Sequence, residues 1–210
     1  MQCSVGAFLH SGQICMSTER ILVHKSIFEP FCRQIKASSA EFFKSNQSST
    51  ALTMAQAAGV AKNKKLVGDA IAKGATLVYG DIHQSETTSY RLNPVIVGGV
   101  TKEMDLFYTE SFGPSVSLIM VENDEEAVAI ANDTDYGLSG AVFTESLARG
   151  LDIASKVESG AVHINSMTIH DEARLPHGGV KNSGWGRFNS QWGLDEFLKT
   201  KTVTFQTKGL

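Results

Sequence analysis

The sequence has 210 residues, of which 42% are hydrophobic and 20% charged, and its formal net charge is −3. This is globular composition, long enough for one sizeable core. No sustained basic stretch offers a footprint for nucleic acid or an anionic membrane surface, and no apolar run approaches the length of a membrane span. Cys3, Cys15 and Cys32 form no CxxC pair, which argues against a disulfide framework or a structural zinc site. The first ten residues lack the basic region and long apolar core of a signal peptide, so the expected location is the cytoplasm.

Ile21-Leu22-Val23 reads as a short strand. Ser26 with Glu29 three residues on predicts a capping box, and Ile27, Phe31 and Ile35 would give the helix that follows an apolar face. Pro30 falls in its first turn, where a missing N–H is tolerated. A polar loop is expected at 44–53, then a helix over 54–73 stopped by Gly74, and a strand at 76–79. A second polar loop, 80–89, precedes the apolar run Val95-Ile96-Val97. Residues 116–121 are apolar almost throughout, which predicts a strand buried on both faces. Asn123 and Glu126 predict a second capping box, with Ala127, Ile130 and Ala131 buried and Gly137 ending the helix. A strand at 139–143, a helix at 146–157 with Leu147, Leu151 and Ala154 on one face, and a strand at 161–165 complete an alternating pattern. Strands joined through helices predict an α/β fold with a mostly parallel sheet flanked by helices. Residues 1–190 are expected to form the main domain. Residues 191–210 are expected to be a C-terminal arm, helical over 192–199 and a strand from Thr202 to Gln206 with Val203 and Phe205 alternating.

The chemistry centres on Gly12-Gln13-Ile14-Cys15. A cysteine is only a few per cent thiolate at neutral pH yet intrinsically a strong nucleophile, small neighbours admit a substrate, and backbone N–H groups near a loop-to-helix junction could stabilise an oxyanion. A lone cysteine read by itself is equally a small buried hydrophobe. Two further segments stand out. Glu110-Ser111-Phe112-Gly113-Pro114 offers a carboxylate for ribose hydroxyls and a flat ring, or simply a turn before a strand. Residues 176–187, Pro-His-Gly-Gly-Val-Lys-Asn-Ser-Gly-Trp-Gly-Arg, are glycine-rich. His163, His170 and His177 recur at intervals of seven, which matches no standard metal-ligand pattern, and no metal is expected. His170 and His177 are instead candidate acid–base groups.

Taken together, Phe8, Gly12-Gln13, Cys15 and Arg20, the segment 110–114 and the block 176–187 resemble, in the same order, the signature motifs of the aldehyde dehydrogenase superfamily. The resemblance covers essentially the whole chain and implies that family's catalytic-domain fold, with an oligomerisation strand at the C-terminus. It implies that Cys15 attacks an aldehyde, that Glu110 contacts the nicotinamide ribose and that Phe112 packs beside the nicotinamide of NAD(P). Phe8, His10 and Gln13 would lie by the substrate. The chain departs from the pattern at His177, where the family usually has phenylalanine, and at His10, where it usually has asparagine. Ile169-His170-Asp171-Glu172 resembles the salicylaldehyde and vanillin dehydrogenase branch, which points to aromatic aldehydes.

In that family a dinucleotide-binding domain, the general-base glutamate and an asparagine of the oxyanion hole precede the cysteine, and no GxGxxG occurs in these 210 residues. The chain by itself is therefore expected to bind no cofactor and not to oxidise aldehydes with NAD. Two alternatives stay open. One is a cofactor-independent enzyme using Cys15 for isomerisation, cyclisation or hydrolysis of an aromatic or polyketide-like substrate. The other is a non-catalytic module that dimerises or binds a partner. In each case the expected partners are a small carbonyl or aromatic molecule and a second copy, the latter through an exposed face and the strand 202–206.

Overall fold

The computed structural model describes residues 1–45, 52–82, 90–207 and 209. In chain order the elements are α1 (Gln2–Phe8), β1 (Arg20–His24), α2 (Phe28–Ser45), β2 (Leu52–Thr53), α3 (Ala57–Ala72), β3 (Thr76–Tyr79), β4 (Arg91–Leu92), β5 (Val95–Gly98), α4 (Asp105–Tyr108) and β6 (Ser115–Val121). Then follow α5 (Asp124–Asn132), β7 (Tyr136–Gly137), β8 (Ser139–Val142), α6 (Leu147–Lys156), β9 (Ala161–Ile164), β10 (Val180–Lys181) and α7 (Ser190–Asp195). The main sheet has the order β1-β6-β5-β3, with β1, β6 and β5 parallel and β3 antiparallel at the edge. β8 and β9 form a separate parallel pair rather than extending that sheet. The expected α/β class, mostly parallel and flanked by helices, holds.

Alternation along the central strands builds the core on both faces of the main sheet. Val95 and Val97 of β5 and Ile119 and Val121 of β6 pack with Val60, Val67 and Ala70 of α3. Ile96, Val116 and Leu118 turn the other way, onto Ala7 and Phe8 of α1 and Ile35 of α2. Phe43 of α2 joins this layer between Phe8 and Tyr79, its ring centroid 5.5 Å and 6.2 Å from theirs. Of β6, only Met120 is exposed.

Several local expectations need correction. Ser26 does not cap a helix. It lies inside a short 3-10 turn, Lys25–Ile27, where its N–H donates to His24 Nδ1, and α2 begins at Phe28 with Ile27 exposed. α3 begins at Ala57, three residues late, and ends as expected on a left-handed Gly74. Asn123 does cap α5 through the Glu126 N–H, but Glu126 reaches back to the Glu122 N–H, and Gly137 lies in β7 beyond the helix end. On α6 the expected stripe is inverted. Leu147 and Leu151 are 64% and 57% exposed, while Gly150 packs on Ile164 of β9. The loops expected at 44–53 and 80–89 lie largely outside the described residues, and the first ends in β2. α7 spans only Ser190–Asp195, short of the expected 192–199. Residues 202–206 form no strand. Val203 and Phe205 are 75% and 87% exposed, and no ladder partner occurs among the described residues. No described helix is long and apolar enough to cross a membrane.

Candidate active site

The cysteine loop is built by unusual backbone. α1 ends at Phe8, and His10, Ser11 and Gly12 then take three successive left-handed conformations, with φ of 49°, 63° and 69°. For non-glycine residues each such conformation is strained by roughly 1–3 kcal/mol, a burden that concentrates at functional sites. A turn from Ile14 to Ser17 follows, closed by the Ser17 N–H to the Ile14 carbonyl at 2.8 Å and by the Ile14 N–H to Ser17 Oγ at 3.2 Å. Cys15 sits in this turn and is exposed. Burial pushes the thiols of Cys3 and Cys32 up, away from their reactive thiolate form at neutral pH.

Side chains far along the sequence brace the loop. Gln13 Oε1 accepts from the Ala55 N–H at 2.8 Å and its Nε2 donates to the Thr53 carbonyl at 3.1 Å. Thr168 Oγ1 donates to the Met16 carbonyl at 2.6 Å and lies 2.9 Å from Thr18 Oγ1. Phe8 is buried in the core. Phe8, His10 and Gln13, expected near the substrate, do not line either of the cavities that Cys15 lines. Phe8 packs, His10 shapes the turn and Gln13 ties it down.

The segment 110–114 interlocks with this loop. Gly12 lies so close to Gly113 that a Cβ would overlap the Gly113 carbonyl. Glu19, four residues after Cys15, accepts three hydrogen bonds from Ser111 and Phe112. The fully buried Asn63 of α3 donates to the Ser111 carbonyl at 3.0 Å and accepts from Ser115 Oγ at 2.8 Å. Phe112 is thereby held at φ 46°, with its ring exposed.

The third motif meets the first at the end of α5. Arg20 donates to the carbonyls of Ile130, Ala131 and Asp133 at 3.0–3.2 Å. Lys181 donates to those of Asn132 and Thr134 at 2.6 and 3.2 Å. Two cations on the carbonyls at one helix C-terminus, those of Ile130 and Asn132 also accepting backbone N–H groups, are favourable in both hydrogen bonding and dipole alignment. The chain before them is thus fixed relative to α5.

Cys15 lies on the wall of two cavities. The larger, of about 770 Å³, is also lined by Glu110, Thr18, Glu19 and the strands β1 and β8. The smaller, of about 490 Å³, is lined by His177, Ser183, Trp185, Arg187, Phe188 and Phe197. His177 is placed by paired backbone bonds with Phe188, its ring 4.9 Å from that of Phe188 and its Nδ1 3.5 Å from Asp171. His170 does not line either cavity with Cys15. It bonds to Glu172 at 3.0 Å and its ring lies tilted against that of His163, ring centroids 5.0 Å apart. Among the described residues no cluster of three or more His, Cys, Asp or Glu is placed to hold a metal ion.

His163 carries a pH prediction. Its Nε2 is buried without a partner, and desolvation, then the neighbouring His170, pushes its pKa down. The unfolded chain takes up a proton near pH 6.5 that the native imidazole resists, so stability is lost as pH falls below about 6.5. His163→Phe is expected to flatten this acid limb. Urea midpoints at pH 7.5 and 5.5 check it, and an equal acid loss in both proteins would refute the assignment.

Residues 1–203 match the aldehyde dehydrogenase family, and the chain belongs to it. It is 38% identical over 205 residues to a vanillin dehydrogenase of Pseudomonas fluorescens, covering 96% of this chain and 42% of that protein. A salicylaldehyde dehydrogenase of Pseudomonas putida is 36% identical over 205 residues, covering 96% and 42%. Among solved structures, a salicylaldehyde dehydrogenase from Pseudomonas putida G7 complexed with salicylaldehyde superposes with a TM-score of 0.88 at 33% identity, covering all of this chain and 43% of that one. The chain spans less than half the length of these relatives.

Glu19, Asn63 and Thr168 escape the sequence reading. Each is an ordinary polar residue whose partner lies 48 to 152 residues away, and no local pattern marks any of them.

Proposed function

We propose that this chain is the catalytic-cysteine portion of an aryl-aldehyde dehydrogenase, with Cys15 as the nucleophile. The observation that carries the reading is the exposed Cys15 on a wall it shares with Glu110, held there by a strained and braced loop. Cys15 Sγ, as thiolate, adds to the carbonyl carbon, forming a C–S bond as the carbonyl π pair moves to oxygen. Backbone N–H groups of the turn supply the oxyanion contact. Glu110, through its carboxylate, and Phe112, through its exposed ring, are the residues that would hold the ribose and nicotinamide of NAD(P), a group that would supply a hydride acceptor. The relatives' printed activities support an aromatic aldehyde as the substrate class.

As a separate 210-residue polypeptide the chain is proposed to add carbonyls without oxidising them, and to self-associate through the exposed apolar residues of its C-terminal arm in the cytoplasm. Calorimetry with NAD⁺ and NADP⁺, run beside an oxidation assay with vanillin and salicylaldehyde, tests this directly. The expected result is no turnover by the polypeptide alone. Steady NADH formation would overturn that part of the reading.

A second reading rests on His177. It lines the cavity it shares with Cys15 and its Nδ1 lies 3.5 Å from Asp171, which favours acid–base assistance to cofactor-independent carbonyl chemistry. An activity lost in both Cys15→Ala and His177→Phe would support it, and an activity indifferent to His177→Phe would not.

A further inference from the structure

The motifs account for Cys15, Glu110 and Phe112, but not for the carboxylate between them. Ser111 N–H donates to Glu19 Oε2 at 2.9 Å, and Ser111 Oγ–H and Phe112 N–H donate to Oε1 at 3.1 and 2.8 Å. Among the described residues no lysine or arginine forms an ion pair with Glu19, and its neighbour Arg20 is spent on the carbonyls of α5. Burial pushes the carboxyl up, the three hydrogen bonds from Ser111 and Phe112 oppose that rise, and the nearby carboxylate of Glu110 adds to it. A carboxylate this desolvated persists because donors surround it, and here all three donors belong to one two-residue stretch.

That stretch is the one that needs holding. Phe112 lies at φ 46°, a conformation that bulky side chains avoid, and it is 40% exposed and belongs to neither core cluster of the described residues. Asn63 grips the Ser111 carbonyl and Glu19 grips the N–H groups, so the backbone is clamped from both sides. Only Glu19 is joined to the nucleophile by a short run of chain, the turn 14–17 and Thr18.

Building on the dehydrogenase reading, we propose that Glu19 is a positioning residue that fixes the cofactor-facing pair Glu110 and Phe112 in register with Cys15 by clamping the backbone N–H groups of Ser111 and Phe112. The ionised form is the competent clamp, because it presents two acceptor oxygens to three donors. Glutamine presents one and turns an amide N–H₂ toward a donor.

The test uses the 210-residue chain and needs no cofactor, so it stands whether or not the dehydrogenase reading does. Amide resonances of Ser111 and Phe112 are followed by NMR from pH 4 to 8, in the wild type and in Glu19→Gln. In the wild type both amides are expected to titrate together, with a midpoint above the ordinary carboxylate range, and core amides such as Leu118 are expected to stay fixed. In Glu19→Gln the shared titration disappears and amide exchange at 111 and 112 accelerates about ten- to hundredfold, the factor carried by one charge-assisted hydrogen bond. The backbone shifts of Phe112 then leave left-handed values while those of the sheet do not. Wild-type amides that ignore pH over this range would overturn the clamp even if the variant failed to fold. A Phe112 conformation unchanged in a folded Glu19→Gln would overturn the positioning role.

Discussion

Gly12→Ala is expected to destabilise the chain by about 4 kcal/mol or more, at the far end of what single substitutions do. Two causes add. Gly12 sits at φ 69°, where an L side chain is strained, and a Cβ there would overlap the Gly113 carbonyl and crowd that of Ala7. All of these atoms are backbone, so no rotamer change relieves the contact. The cysteine loop or the segment 110–114 has to move, and with it the relation of Cys15 to Glu110. Since domains are stable by only about 5–15 kcal/mol, much of the variant would be unfolded under mild denaturant. Urea unfolding followed by circular dichroism measures the loss, and a loss below about 1 kcal/mol would show that the interlock yields cheaply.

Asn63→Ala is the second large effect, expected at about 2–4 kcal/mol. Asn63 is fully buried and bonds to the carbonyls of Gly59 and Ser111 and to the Ser115 hydroxyl. Alanine leaves the last two without that partner in a place closed to water, and leaves a void against Gly113, on which the amide packs. Asn63→Asp should be worse near neutral pH, because a buried carboxylate would face the Ser111 carbonyl, and should recover partly on acidification. The same urea assay reads both variants. If Asn63→Asp equals Asn63→Ala at every pH, the amide group is not bonded as described.

These residues mark the border of what the sequence makes legible. Elements specified by near neighbours are readable. Val95 to Val97 and the run 116–121 form strands because nothing but a buried sheet accommodates them, and Asn123 caps α5 through a bond three residues long. Elements that depend on what lies opposite are not. On α6, leucine spacing marks one face, yet the small residue Gly150 faces β9, where a Cβ would come within 3.1–3.2 Å of the Thr144 and Ile164 side chains. Residues 202–206 alternate correctly but find no edge to pair with, and alternation without a partner makes no strand.

The site divides in the same way. Cys15, Glu110 and the block 176–187 are visible as a resemblance. Their joining is not, because the left-handed backbone at His10 and Ser11 has no glycine to announce it, and because Arg20 and Lys181 meet only at the end of α5. His177 and Asp171 are six residues apart, yet the placement of His177 beside the cavity depends on its pairing with Phe188.

The central claim is that Cys15 is the carbonyl-reactive thiol, and competition alkylation tests it most directly. The chain is treated with iodoacetamide at neutral pH with and without excess salicylaldehyde, and the modification of each cysteine is followed by peptide mass spectrometry. Cys3 and Cys32, partly buried and with raised pKa values, serve as internal controls. The account predicts fast alkylation at Cys15 that the aldehyde slows, with slow and unaffected alkylation at the other two. Alkylation of Cys15 that is indifferent to the aldehyde, or slower than that of Cys3 and Cys32, would contradict it.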